Sequence, residues 1–454
     1  MIDRPGPACL LLATLAEQLA AREDLRGEAF LAEVAAQCRQ PLRVMVAGYV
    51  SAGKSTLVNA LLGRESAAVA RRETTAEVTW YRHPALAGQR PAGGHRAVEL
   101  RFPLADRLVL IDSPGLNTES AAERSTLKLL DPDDDAGGTA AALVYLVVGE
   151  PAAEDVRRLA EFAALGPGDL GNVVLVGGKA ETVSETAIKE SAERRETVEE
   201  AAAKTERRLL IRRAGVRPVA VSQQLAMVAR CGRVRQEHVD LVRVIVGDPE
   251  LRRFAANGWD QLSRAWAERG CSDAQLAPLR ALLPSLGWLA AELPSGAALD
   301  VASLTACCER VSRLAQLDQV LAELADDADL LTATTASERL RRWAVRRGSL
   351  RAAVIHEQLD LLWQQPEFTG FPRRRAALLL NTSLLAGVPA ADRAWAIALL
   401  RGEPYVLAEP RAALVERWRR RTGSGVRGVL AADVAQLVVT TAGRQGAQGL
   451  RSSG

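Results

Sequence analysis

The sequence predicts an α/β domain, a mixed and mostly parallel sheet flanked by helices, joined to an all-α bundle. Three observations carry that prediction. Residues 42–63, LRVMVAGYVSAGKSTLVNALLG, run from an apolar segment through a glycine-bounded turn into a helical pattern. Short β-rich segments recur between this stretch and RPVAVSQQ (217–224). Beyond about residue 225 strand signals vanish, and apolar residues step by threes and fours as in helices that bury one side.

A chain of 454 residues has room for about two or three domains. Low aromatic content, 4%, with abundant Ala, Leu and Arg favours helices over a large sandwich. The 58 Lys and Arg nearly balance 55 Asp and Glu, so no overall field for nucleic acid exists. Cys9, Cys38, Cys231, Cys271, Cys307 and Cys308 lack metal-ligand spacing and read as reduced core thiols of a cytosolic protein. No run reaches the ~18 apolar residues of a spanning helix. The start, MIDRPGPACLLLATLAEQ, places Asp3 and Arg4 before a short apolar run that merges into a charged helix, a poor secretory signal. The expectation is a cytoplasmic protein that meets membrane only peripherally, at its inner face.

Residues 8–38 form a helix-like segment with Leu12, Leu15 and Leu19 on one stripe. Phe30, Val34 and Cys38 form another after a break near Gly27. Residues 1–40 are thus an N-terminal helical segment, to be buried either on the domain that follows or against helices from the far end of the chain. Within 42–63, Gly48, Gly53, Lys54 and Ser55 fit G-x-x-x-x-G-K-[ST] between strand and helix. Glycines let backbone N–H groups turn inward around a β-phosphate, and the new helix aims its positive end there. Lys54 would neutralise phosphate charge and the Ser55 hydroxyl would join a Mg²⁺ shell.

RRETTAEVTWYRH (71–83) passes from polar to β-rich. HRAVELRF (95–102) and RLVLIDSPG (107–115) follow, joined by a proline-bearing turn that predicts a hairpin. The last strand ends in Asp112-Ser113-Pro114-Gly115, where a magnesium-shell carboxylate and a γ-phosphate-sensing glycine N–H are needed. Thr74 or Thr75 would bring a hydroxyl to the same ion. The acidic run at Asp131 and 133–135 lacks the ligand spacing of a calcium loop and reads as a solvated loop. AALVYLVVG (141–149) and GNVVLVGGKAE (171–181) are buried strands. Gly178-Lys179-Ala180-Glu181 stands where a guanine-reading N-K-x-D would stand, with Gly for Asn and Glu for Asp. Lys179 can still lie along a base, so the guanine signal is weak. Residues 184–213 are a charged helix with Ile188, Ala192, Val198, Ala202 and Leu209 as its stripe. In the last buried strand Ser222 sits where a loop would cover the base edge.

In the helical remainder Leu304, Cys307, Val311, Leu314, Leu317, Leu321 and Leu324 give the clearest stripe. RRWAVRRGS (341–349) and ERWRRRTGS (416–424) align at a fixed offset, a candidate two-copy helical unit. Phe368 and Phe371 beside Arg373–Arg375 read either as a membrane-touching tip or as a helix start with solvated arginines. The domain division is 1–40, 41–225, 226–440, and a disordered tail at 441–454.

GYVSAGKSTLVNALLG, ETTAEVTWYR, LVLIDSPGL and the helical remainder together resemble the bacterial dynamin-like GTPases, in particular the isoniazid-inducible proteins of actinobacteria. The resemblance is sharp over about residues 40–150. It implies a phosphate-loop GTPase domain and a helical bundle or stalk that includes the N-terminal helix. It places phosphate contacts on Gly48, Ser51, Ala52, Gly53, Lys54 and Thr56, with magnesium on Ser55, Thr75 and Asp112. It places base contacts on Lys179, Glu181 and Ser222, and transition-state roles on Ser51, Lys54, Thr75 and Gly115. The implied ligands are GTP or GDP with Mg²⁺. The implied partners are a second copy through the GTPase head, another dynamin-like protein, and a membrane surface. Val50 and Leu116 depart from the pattern: an apolar side chain at 116 cannot orient the attacking water. Two functions compete, a GTPase that remodels or scaffolds membranes and a weakly hydrolysing, nucleotide-gated partner of another GTPase. A ribosomal or RNA-associated GTPase, or a phosphate-loop kinase or ATPase, fits the charge balance and motif order less well.

Overall fold

A computed structural model of the chain describes residues 3–26, 28–67, 78–86, 95–116, 140–164, 166, 171–180, 198–210, 216–282, 286–293, 298–382, 388–406, 410–423 and 434–442. Seven strands make one sheet: β1 (Leu42–Gly48), β2 (Thr79–Arg82), β3 (Arg96–Glu99), β4 (Leu108–Asp112), β5 (Ala142–Val147), β6 (Val173–Gly177) and β7 (Arg217–Ala220). Their spatial order is β3-β2-β4-β1-β5-β6-β7. From β4 to β7 all neighbours are parallel, while β2 runs antiparallel to β4 and β3 parallel to β2. The expected 95–102/107–115 hairpin is therefore corrected. β2 lies between those strands, and the turn through Pro103 carries the chain across it rather than back along β3.

β1 is buried over its whole length, which is why it shows no polar alternation. Arg43 is the exception, and it is buried too. Its guanidinium pairs with Glu33, bonds Gln40 at 3.0 and 3.1 Å and lies 4.8 Å from the Trp80 ring centre. A charge inside a sheet needs such pairing. Alternate residues of the strands serve two cores. Val44, Val46, Leu110, Val144 and Val176 face one, and Met45, Ile111, Leu143, Tyr145 and Leu175 the other.

Helices fill the rest: α1 (Pro7–Ala21), α2 (Ala29–Cys38), α3 (Lys54–Leu62), α4 (Ala153–Ala163), α5 (Val198–Leu210), α6 (Gln223–Arg230), α7 (Gln236–Gly247), α8 (Pro249–Asn257), α9 (Trp259–Glu268), α10 (Asp273–Leu282), α11 (Leu286–Glu292), α12 (Val301–Ser312), α13 (Leu314–Asp326), α14 (Ala328–Arg346), α15 (Ser349–Trp363), α16 (Phe371–Leu380), α17 (Ala390–Arg401) and α18 (Arg411–Gly423). The first sheet core continues into α1, α2 and α13–α15. The N-terminal helices pack on α14, and α14's Asp329 caps α1. Its carboxylate accepts from the N–H groups of Ala8 (3.3 Å) and Cys9 (2.8 Å), a favourable charge at a helix N-terminus. Gly6 makes room, because a Cβ there would overlap the Asp329 side chain.

The stripe Leu304–Leu324 is buried at every position named above, but it spans two helices and two cores. Arg313, with φ +59°, breaks it between α12 and α13. On α5, Val198, Ala202 and Leu209 are buried; Ile188 and Ala192 lie outside the described residues. Trp343 and Trp418 of the sequence echo are both fully buried, in separate cores. Phe368 and Phe371 are 2% and 4% exposed. They cluster with Trp363, ring centres 5.0 to 5.8 Å apart, so the membrane-touching tip is corrected to an internal aromatic cluster. All six cysteines are free thiols, with Cys231 and Cys271 half-buried. No helix among the described residues is long and apolar enough to cross a membrane.

Candidate nucleotide site

The loop after β1 is built from backbone that few residues tolerate. Gly48 has φ +148°, and a Cβ there would overlap the Leu146 carbonyl oxygen of β5, so the position demands glycine. Gly53 turns left-handed at +97° directly before α3 begins at Lys54. Ser51 is exposed and held at φ +65° although it has a side chain, a strained geometry of the kind found at ligand sites. The start of α3 offers its first N–H groups to an anion.

The D-S-P-G segment lies against this loop. Val50 N–H donates to the Leu116 carbonyl and Leu116 N–H to the Gly48 carbonyl, both at 3.2 Å. Ser113 Oγ donates to the Val46 carbonyl at 2.9 Å. The approach is close enough that a Cβ on Gly115 would overlap the Val50 side chain and lie 3.1 Å from the Val50 Cα. Gly115→Ala must push the two segments apart. It should weaken Mg²⁺–nucleotide binding about 10- to 100-fold, given the usual ~1–3 kcal/mol cost of overpacking, as read by titration with a fluorescent GTP analogue.

Lys54 and Asp112 face each other's field inside the fold. The Lys54 ammonium donates to the carbonyls of Gly48 and Tyr49, both at 2.9 Å. Burial lowers its pKa to about 8, against the opposing attraction of Asp112. Asp112 is 1% exposed, and its Oδ1 has no hydrogen-bond partner among the described residues. Burial raises its pKa to about 7, with Lys54 working the other way. Both charged forms are thus destabilised by desolvation, which a ligand carrying phosphate and a divalent cation would relieve. The donor set fits that ligand. Lys54 and the start of α3 would hold phosphate oxygens, while Ser55 Oγ and Asp112 would serve Mg²⁺, a hard cation that takes oxygen ligands and keeps water. Thr75, expected to complete the ion's shell, lies outside the described residues.

On the base side, Gly178 N–H donates to the Val147 carbonyl at 2.8 Å, and Lys179 follows at φ +51°. Lys179 N–H donates to Gln223 Oε1 at 2.7 Å, and Gln223 Nε2 donates to the Ala52 carbonyl at 2.9 Å. Ser222 is fully buried at the start of α6, its N–H donating to the Ser312 carbonyl at 3.0 Å. Glu181 and the acidic run at 131–135 lie outside the described residues. The fold therefore gathers residues 48–56, Asp112, Gly115, Lys179 and the Ser222–Gln223 turn. Sequence reasoning missed Gln223; the one available signal was the missing Asn side chain at Gly178.

Residues 43–168 match the model of a family described as 50S ribosome-binding GTPase. The chain is 31% identical over 185 residues to the isoniazid-induced protein IniC of Mycobacterium tuberculosis, in each of two strains. That match covers 34% of this chain and 37% of the relative, so it spans little more than a third of those proteins' length. Two solved chains described as an oligomerised bacterial dynamin pair, with a mechanism for long-range sensing and tethering of membranes, align at TM-scores of 0.29 and 0.28. Both are 12% identical; the alignments cover 97% and 96% of this chain and 76% and 74% of theirs.

Proposed function

We propose that this chain, a bacterial dynamin-like GTPase by its motifs and its relatives, binds and hydrolyses GTP with Mg²⁺ and couples the nucleotide state to association of its GTPase heads. One observation carries the reading. The buried Lys54 ammonium, reaching back from the start of α3 to the end of β1, and the buried Asp112, whose Oδ1 has no hydrogen-bond partner among the described residues, lie at the ends of adjacent strands. Lys54 would balance β- and γ-phosphate charge, Ser55, Asp112 and Thr75 would hold the ion, and the Gly115 N–H would report the γ-phosphate. Ser51, with Thr75 or a partner molecule, would handle the attacking water, since Leu116 is fully buried in the core.

Movement of the helical part has a route from the base side. Ser222 bonds Ser312, Arg217 pairs with Glu323, and Arg313 pairs with Glu206 at 2.9 Å. The first two link β7 and the turn after it to α12 and α13, and the third links α5 to the break between those helices. Action at the cytoplasmic face of a membrane, by remodelling or scaffolding, rests on the family resemblance.

A second reading, a nucleotide-gated partner of another dynamin-like GTPase with little turnover of its own, is favoured by the burial of Leu116. Titration of GTP and ATP with Mg²⁺, phosphate release at rising protein concentration, and sedimentation with anionic liposomes separate the two. The proposal expects ATP to bind at least about tenfold more weakly than GTP, because a site that hydrogen-bonds one base leaves groups unpaired against the other. It also expects phosphate release per head to rise with protein concentration. Tight GTP binding without turnover at any concentration would select the partner reading, and no GTP binding would defeat both.

A further inference from the structure

We propose that Gln223 is a positioning residue of the nucleotide site, clamping the base-side loop to the phosphate loop with the amide that position 178 lacks. This rests on the reading of the pocket as a site for a nucleoside polyphosphate with a purine base.

Three independent features of the geometry meet at this side chain. Gln223 is the first residue of α6 and 3% exposed. Both ends of its amide are used: Oε1 accepts from Lys179 N–H at 2.7 Å and Nε2 donates to the Ala52 carbonyl at 2.9 Å. One rigid planar group thus fixes the distance between the loop that carries the base-side lysine and the loop that carries the phosphate-binding backbone. Each of those loops holds a side-chain-bearing residue in the left-handed region, Ser51 and Lys179. Such conformations persist only where neighbours impose them, and the Gln223 bonds are direct restraints on one residue and on the neighbour of the other.

The glycines around the amide complete the case. A Cβ on Gly178 would overlap Leu146 Cδ1, the end of a flexible side chain, and lie 3.1 Å from Nε2 and 3.3 Å from Oε1, and one on Gly53 would overlap Nε2. Any side chain at 178 would therefore displace the tip of Leu146 and crowd the Gln223 amide. Gly178 and Gln223 form a matched pair, so the absent Asn is a relocation of the amide from the end of β6 to the start of α6. The adjoining Ser222 N–H bond to the Ser312 carbonyl sets the same turn against the end of α12.

Gln223→Met keeps the volume and removes both bonds. It should lower GTP affinity about 10- to 100-fold, the cost of two buried groups left unpaired, and lower the ratio of GTP affinity to inorganic tripolyphosphate affinity. Gln223→Ala should weaken GTP binding similarly, and adding Gly178→Asn to it should recover at least about tenfold, because the second amide enters the vacated space. Should Gln223→Met fail to fold, the alanine variant and its double decide. Wild-type affinity in both Gln223 variants would overturn the proposal, as would a loss that Gly178→Asn leaves unrepaired. Failure of the wild-type chain to bind GTP would instead overturn the parent reading.

Discussion

Lys54→Ala is expected to reduce affinity for GTP and GDP by at least about a hundredfold. The ammonium now rests on two carbonyls of the phosphate loop, a holding position that costs it solvation and drops its pKa to about 8. A polyphosphate would replace those neutral acceptors with charged ones. Removing one member of a buried charge pair costs about 3–5 kcal/mol, which is a factor of about a hundred to a few thousand in Kd. Titration of a fluorescent GTP analogue reads the loss, and a thermal melt of the ligand-free variant shows that the fold survives. A variant that binds GTP as wild type does would remove the basis of the assignment.

Asp112→Asn should divide stability from function. In the unfolded chain this carboxyl ionises near 3.8, and in the fold it keeps its proton until about 7. The folded state therefore binds more protons than the unfolded state between those values. Stability of the ligand-free protein should fall as pH rises from about 4 to about 7, at up to about 1.4 kcal/mol per pH unit from this group. The penalty is complete above pH 7. Lys54, lowered to about 8, acts in the opposite sense and in another window: its penalty is present below pH 8 and fades between about 8 and 10.5. Asparagine cannot ionise, so the variant should lose the slope between pH 4 and 7 and melt higher than wild type at pH 8. With saturating GTP and Mg²⁺ the order should reverse, because only the wild type gains from the cation. Parallel denaturation curves at pH 4.5 and 8, with and without ligand, decide the matter. An unchanged slope in the variant would contradict the assignment of the raised pKa to Asp112.

The phosphate loop was legible because its residue types are forced. Only glycine fits where Gly48 meets the Leu146 carbonyl and where Gly53 turns left-handed, and the apolar strand before it is buried from end to end. The mostly parallel sheet and the helical remainder were legible for the same reason, since burial on both faces or on one stripe leaves a period in the residues. Strand pairing was not. A proline-bearing turn between 95–102 and 107–115 is equally consistent with a hairpin and with a crossing, and the third strand that separates them comes from residues 79–82. The break at Arg313 left no trace, because the apolar stepping continues through it and neither Gly nor Pro marks it. Phe368 and Phe371 left a surface tip and a helix start both open because their neighbours are arginines; the helix does start at Phe371. Trp363, at the end of α15, closes over them. Gln223 was hidden for a related reason: its role depends on what stands at Gly178, far away in the chain.

The most direct test is a crystal structure with a non-hydrolysable GTP analogue and Mg²⁺. The account predicts Lys54 Nζ released from the Gly48 and Tyr49 carbonyls onto phosphate oxygens, with Asp112 drawn into the shell of the ion. At saturating analogue, a pocket without nucleotide and Lys54 still bonded to the two carbonyls would contradict it.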